Sequence, residues 1–246
     1  SVIPMYYVSQ LARQMAIVVL SGDGGDENFG GYHRYAQELM EDKIRRLFPQ
    51  FFRKTIFGFL GKFYPKLDWL PQMLRAKTLF TNLSRERAEA YFNTISILRD
   101  YQKQKLYQEN FKKQLHSYTP LSVIAHYFQQ ADSNDLLSQL IYVELKTLVP
   151  DDYSVKVDRA SMAHSIEVRP PFLDHHFLEF TARIPSALKI RGAEKKYIWR
   201  GSETNPRYIC ILDFAYKYSI PKKQRFVNHK KCGMMRRMTT TRAIAH

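Results

Sequence analysis

Hydrophobic and polar positions alternate between two patterns along this chain. Residues 16–20 read AIVVL, an unbroken apolar and mostly β-branched run. Such a run predicts a short strand buried on both faces. Ahead of it, Tyr6, Tyr7, Val8, Leu11 and Met15 are spaced for a helix over residues 1–15. After it, a helix is expected over residues 28–47. Tyr32, Tyr35, Leu39 and Ile44 fall near one face, with Glu38, Glu41, Asp42 and Lys43 largely opposite. Thr119-Pro120 opens another helix that gathers Val123, Ile124, Tyr127 and Phe128, and residues 136–148 form a further one. Ser161, Met162, Ala163 and Ile166 predict a short buried helix. Residues 170–174, PPFLD, predict a rigid turn with Asp174 as N-cap of a helix over residues 175–184. The fold class expected is α/β, mostly helical, with few parallel strands.

Residues 48–115 are rich in aromatic and basic side chains, among them Phe48, Phe51, Phe52, Phe57, Phe59, Phe63, Tyr64 and Trp69. Helices packed by aromatics and separated near Pro49, Pro65 and Pro71 account for them. Arg53, Lys54, Lys62 and Lys66 interleave with the phenylalanines, so a membrane-surface reading stands beside the helical-core reading.

The chemistry concentrates just after the first strand. Residues 22–31 hold five glycines, and Asp23, Asp26 and Glu27 fall within five positions. A buried strand that runs into such a loop is where an open α/β sheet places its ligand. Glycines let backbone approach the ligand, and successive N–H groups form a nest for an anion. Beside phosphate oxygens, an Asp is a hard ligand for Mg²⁺. A strand-to-helix turn with Asp as a cap explains a sparser loop; the density of glycine and carboxylate here favours ligand binding. The helix after the loop is expected to add its dipole. A second concentration of charge, Lys156, Asp158, Arg159, Glu167, Arg169 and Asp174, sits among Val, Met, Ile and Phe. Charges in apolar surroundings need partners. They are either ion pairs fixing two helices or pocket-lining groups, with Asp158, Arg159, Glu167 and Arg169 as the candidates for the pocket. His164 is expected to pack.

Charge changes this picture only at one end. The formal net charge is +15 over 246 residues. Lys189–His246 carries 15 Lys and Arg against 3 Asp and Glu, whereas residues 1–188 carry 23 against 20. The basic excess is a tail property, open to nucleic acid or an anionic surface. Hydrophobic content is 45%, and no apolar run approaches a bilayer span. No signal peptide is expected at the start, and the almost direct entry into a strand suggests a piece of a longer protein. Cys210 and Cys232 lack metal-site or redox spacing and are expected to be free thiols in a reducing cytoplasm.

SGDGGDENFGGY at residues 21–32 resembles the second signature of the asparagine synthetase family, SG-acid-G-S/G-D-E-x-F-G-G-Y. LVPDDYSVKVDRASMAHSIEVRPPFLDHHFLEF at residues 148–180 resembles that family's D-R-x-S-M-A-x-x-x-E-x-R-x-P-F-L-D block. RGAEKKYIWR at residues 191–200 is similar to its G-x-x-E-K-x-I-L-R stretch. The resemblance covers residues 1–200; residues 201–246 depart from it as a divergent basic tail, expected to be either frameshifted or disordered. A reading-frame change near residue 200 would produce such a shift.

The resemblance implies part of an adenine-nucleotide α-hydrolase-like (ATP pyrophosphatase) domain, from the C-terminal synthetase half of a glutamine-hydrolysing enzyme. It implies ATP and Mg²⁺ as cofactors, adenylation of the aspartate side-chain carboxylate, and amidation by ammonia from a glutaminase domain. By motif position Ser21, Gly22, Lys195 and Lys223 would bind ATP, and Asp26 would ligate Mg²⁺. Asp23, Lys196 and Glu167 would serve the reaction. Neither S-G-G-x-D-S nor an N-terminal Cys occurs here, so the chain alone is expected to be inactive. A homodimer would form through the missing N-terminal region. Relatives amidate other carboxylates or close β-lactam rings. A reading from another class is a non-enzymatic fragment that binds nucleic acid through its basic tail.

Overall fold

The computed structural model describes residues 2–64, 77–116 and 118–204. Trp69, Pro65, Pro71, Cys210, Cys232, Lys223 and the other residues of 205–246 lie outside the described residues. The chain forms two compact units. Among the described residues, the first combines 2–29, 154–189 and 196–204, and the second 30–153 and 190–195. The described strands are few and short amid many helices, as an α/β chain of mostly helical content requires.

In the first unit, helix Val2–Arg13 packs on helix Val155–Met162. Ser9 is its buried side chain, while Val8, Leu11 and Met15 face outward, against the sequence expectation. Strand Val18–Leu20 pairs in parallel with Glu167–Arg169, in the register Val18↔Glu167 and Leu20↔Arg169. It is not buried on both faces: Ile17 is 66% exposed and Leu20 50%. The two strands make up their whole sheet among the described residues, so little covers them.

Helix Val155–Met162 turns Val157, Ala160 and Ser161 inward. Those three positions are spaced i, i+3 and i+4, which sends Asp158 and Arg159 to the opposite, exposed face. Glu167 is exposed too. Asp158 and Arg159 are therefore not buried ion-pair partners, because the face that holds Val157, Ala160 and Ser161 cannot also hold them, and Glu167 pairs with Arg169 on its strand. Asp174 does cap helix His175–Ala182, accepting from the His176 and Phe177 N–H groups at 3.0 and 3.4 Å. His164 packs edge-on against Tyr6, with ring centroids 4.2 Å apart.

The expected helix over residues 28–47 is broken. A short helix, Gly25–Phe29, ends at Gly30, whose φ is +66°. A Cβ there would lie 2.7 Å from Ile190 Cγ1, so glycine is required on both counts. The long helix then runs His33–Leu47 and does not start at the glycine loop.

The second unit is built on Tyr35, Tyr91, Leu137, Leu140 and Val143, all fully buried. Inside this apolar cluster lies Glu144, also fully buried. Arg34 grips it with Nε to Oε1 at 2.6 Å and Nη2 to Oε2 at 2.7 Å. The Tyr35 hydroxyl donates to Oε2 at 2.6 Å, and the Tyr91 hydroxyl donates to Oε1. The Arg34 guanidinium also stacks 3.7 Å over the Tyr32 ring. Burial pulls Arg34 toward losing its proton, but the Glu144 carboxylate outweighs that and holds it well above its usual range. Burial, then the Glu144 charge, push both tyrosine hydroxyls up, so they stay protonated as donors.

Glu38, Glu41 and Asp42 are buried, not solvated as the helical pattern suggested. Helices Lys77–Leu83 and Arg87–Ile95 cover that face of His33–Leu47 and supply partners. Thr94 Oγ1 donates to Glu38 at 2.7 Å, and Arg87 is bidentate on Asp42 at 2.7 and 3.0 Å. Burial raises the Glu38 carboxyl to about 7, and burial also raises Glu41. Asp42 goes the other way: burial pushes it up, but Arg87 and Arg46 more than offset this.

The unfolded chain releases the Glu38 proton near 4.5, its ordinary value, whereas the folded chain keeps it to about 7. Folded protein therefore binds more protons in that window, and this contribution to stability is lost as pH rises through it. Glu38→Gln keeps an acceptor for Thr94 and removes the buried charge. It is expected to raise stability at pH 8 by about 1–3 kcal/mol and to flatten the slope between pH 4.5 and 7. Urea unfolding across pH reads both effects. An unchanged slope would place the titration elsewhere.

Phe57 stacks on Phe80 with rings 9° from parallel, while Phe51, Phe59 and Phe63 face outward. The aromatic stretch thus splits between packing and surface. No described helix is long and apolar enough to cross a membrane.

Candidate functional site

The parallel strand pair positions the glycine loop. The Ser21 N–H donates to the Arg169 carbonyl at 3.0 Å, extending the ladder by one residue. The loop then turns: Gly25 N–H reaches the Gly22 carbonyl at 3.2 Å, and Gly24 adopts a φ of +90°. Ser21 Oγ is buried without a partner. A buried hydroxyl without a protein partner has bonding capacity that water or a ligand can take up.

Short helix Gly25–Phe29 carries Asp26 on its half-exposed side and Asn28 on its buried side. Asn28 ties the loop down. Its Nδ2 donates to the Gly24 and Phe172 carbonyls, both at 2.7 Å, and its Oδ1 accepts from Thr181 Oγ1 at 2.5 Å. Phe29, Phe172, Phe177 and Trp199 pack edge-on or tilted, with Trp199 at 5.2 Å from Phe29 and 5.3 Å from Phe172. This aromatic cluster joins the loop's helix to helix Tyr197–Thr204.

Lys196 stands just before that last helix, and its Nζ lies 2.9 Å from Asp26 Oδ1. Tertiary folding thus brings together two candidate residues that are far apart in sequence. The Lys196 side chain is 33% exposed and that of Asp26 44%, so the pair is solvent-screened and worth about 0–1 kcal/mol. Its ammonium can leave Asp26 for an incoming anion at little cost. Lys196 also has a φ of +53°, a conformation costing a bulky residue about 1–3 kcal/mol. Strain of this kind persists where surrounding structure enforces it, as at ligand sites.

The other candidates are dispersed. Asp23 is half-buried in the loop and Gly22 is exposed. Glu167 is two residues back along its strand from Arg169, roughly 6–7 Å from the loop end by strand rise. It is paired with Arg169, Nε to Oε1, at 2.7 Å. Lys195 belongs to the second unit, on the short ladder of Glu194–Lys195 with Ile190–Arg191. Asn28, Thr181 and Trp199 were not singled out by the sequence. Apart from the Asn28–Gly24 bond, the partners named for them lie too far along the chain for local spacing to reveal them.

Among the described residues, no three metal-ligating side chains converge. Asp26 offers a single carboxylate. That suits Mg²⁺, which is held by one or two carboxylates and completes its shell with phosphate oxygens and water.

The Asparagine synthase family model matches residues 1–204. Asparagine synthetase [glutamine-hydrolyzing] 1 of Bacillus subtilis is 30% identical over 203 residues, covering 80% of this chain and 29% of that protein. A putative asparagine synthetase [glutamine-hydrolyzing] of Mycobacterium tuberculosis is 30% identical over 200 residues, covering 81% and 29%. A Gibberella zeae protein described as an amidase is 22% identical over 201 residues, covering 74% and 28%. The chain thus spans less than a third of the length of these relatives. No solved structure matches it. A family match that takes in the strand, the glycine loop, the 155–174 block and Lys196 makes this chain a member of the asparagine synthase family.

Proposed function

We propose that this chain is the C-terminal part of an asparagine synthetase-like, ATP-dependent amidotransferase, a ligase that forms a C–N bond. The carrying observation is the Asp26–Lys196 pair, set on the glycine loop beside an unsatisfied Ser21 hydroxyl. The fold implied is an adenine-nucleotide α-hydrolase-like (ATP pyrophosphatase) domain, and the setting is cytoplasmic.

In this reading Ser21 and Gly22 contact ATP, and the loop's backbone takes the phosphates. Asp26 would hold Mg²⁺, which would supply charge neutralisation for a departing pyrophosphate. Lys196 turns from Asp26 to a phosphate oxygen, and Lys195 and Lys223 add positive charge. Asp23 faces the aspartate-derived carboxyl and the ammonia that attacks it. Glu167, paired with the Arg169 guanidinium, serves the reaction alongside Asp23 and Lys196. The synthetase portion covers residues 1–200, and residues 201–246 form a divergent tail.

The test is equilibrium binding of a fluorescent ATP analogue to the 246-residue chain. Expected is Mg²⁺-dependent binding, weakened at least tenfold by Asp26→Ala, about the loss of one charged contact. Equal binding by the variant would overturn the metal assignment. No asparagine is expected from aspartate, glutamine and ATP with this chain alone. Its formation would overturn the reading of the chain as part of the machinery.

A further inference from the structure

The second unit contains a cavity of about 500 Å³ that this reading does not use. Its charged lining is Asp42, Arg45, Arg46, Arg53, Glu86 and Arg87. Four guanidinium groups therefore face two carboxylates.

The carboxylates do not satisfy the arginines. Asp42 is shared by three of them. Arg87 takes it bidentately, Arg46 Nε lies at 2.8 Å, and Arg45 Nη1 is left with a long contact of 3.4 Å. Arg45 Nη2 reaches the Asn82 carbonyl, also at 3.4 Å, and its Nε has no partner. Arg53 is worse provided. Its Nε and Nη1 are buried without partners. Its one ion pair, Nη2 to Glu86 Oε1, is 3.5 Å long, and that oxygen already accepts from Gln50 at 3.0 Å. Yet Arg45 is 94% buried and Arg53 92%. Buried guanidinium groups without acceptors are costly and rare. Arg53 also lies on a turn of π-helix, Arg53–Phe57, a distortion that recurs at functional sites.

We propose that this cavity is a binding site for a small phosphate monoester, gripped by Arg53 and Arg45 with Arg46 and Arg87 at its edge. The planar forks of arginine match phosphate oxygens. The surplus of two positive charges matches a phosphate dianion and exceeds what one carboxylate neutralises. The volume falls in the range of small-molecule sites and exceeds the needs of inorganic phosphate. Phe128 and Ala125 supply an apolar wall for the organic part.

Phenyl phosphate is the probe, titrated calorimetrically into the full chain at fixed ionic strength in chloride. The measurement is made on Lys196→Met, which silences phosphate binding at the glycine loop. Saturable binding is expected to persist there and to weaken at least tenfold when Arg53→Met is added. Arg46→Gln, at an arginine whose side chain is 64% exposed, leaves the fold intact and is expected to weaken binding about threefold. Arg53→Met is expected to melt no lower than its parent, since it removes a buried guanidinium whose one ion pair among the described residues is the long one to Glu86 and whose Nε and Nη1 have no acceptor. Were it to fail to fold, Arg46→Gln would carry the test. Three results overturn the proposal: no saturable binding to the wild-type chain, loss of all binding in Lys196→Met alone, or unchanged affinity in the arginine variants. The first two leave the ATP reading standing, and loss of ATP binding in Asp26→Ala leaves this one untouched.

Discussion

Glu144→Ala is expected to destabilise the second unit by about 3–5 kcal/mol, the usual cost of removing one partner from a buried ion pair. Alanine leaves Arg34 charged and stranded in the core, and it takes the acceptor from the Tyr35 and Tyr91 hydroxyls at the same time. That carboxylate holds Arg34 protonated against burial, and it adds to the burial that keeps both tyrosine hydroxyls protonated. For a chain of this size the loss corresponds to about 6–20 °C in Tm. Glu144→Gln retains one acceptor oxygen and is expected to lose less. The pair of variants separates volume from charge. Urea midpoints within 1 kcal/mol of wild type for Glu144→Ala would mean that the network does not stabilise the unit.

Gly24→Ala is expected to cost about 2–4 kcal/mol and to spoil the candidate site as well. The residue has a φ of +90°, where a Cβ is strained. That Cβ would also lie 2.5 Å from Leu173 Cδ2, 2.8 Å from Leu173 Cγ and 3.1 Å from the Phe172 carbonyl carbon. The leucine tip can move, but the backbone of residue 172 is held by Asn28. Strain and overpacking therefore add. The loop must shift, and it carries Asp23 on one side and Asp26 on the other. The expected readout is a lower Tm together with ATP-analogue binding at least tenfold weaker. A variant with native stability and native binding would show that close contact between the loop and residues 172–173 is not required.

The buried acidic face of helix His33–Leu47 shows where reading the chain stops. Glu38, Glu41 and Asp42 alternate with Tyr35 and Leu39 in a pattern that normally marks a solvated face. Their burial depends on Arg87, Asn82 and Thr94, which a sequence pattern cannot pair with them. The same holds for Glu144, one acid within an apolar helix. Its partners Arg34 and Tyr91 are more than fifty positions away. Partner choice over such separations is a property of packing.

Local signals were legible because their causes are local. The Asp174 cap was visible in the PFLD-H turn, since a cap needs only its own side chain and the next N–H groups. The short apolar run before the glycines was legible as a strand, though not its exposure, which depends on what lies beside it. Family membership was legible too, because SGDGGDENFGGY and the 155–174 block are contiguous strings.

By itself, then, the sequence determined the family, the strand-to-loop turn, the cap and the identity of the candidate acids. Only the tertiary structure decided that Lys196 meets Asp26, that Asn28 braces the loop against Phe172, and that Arg53 reaches Glu86 with one nitrogen while its Nε and Nη1 are left without acceptors. The physical reason is the same in each case. Hydrogen bonds and ion pairs form between groups within about 3–4 Å, and which groups come that close is set by the packing of distant segments.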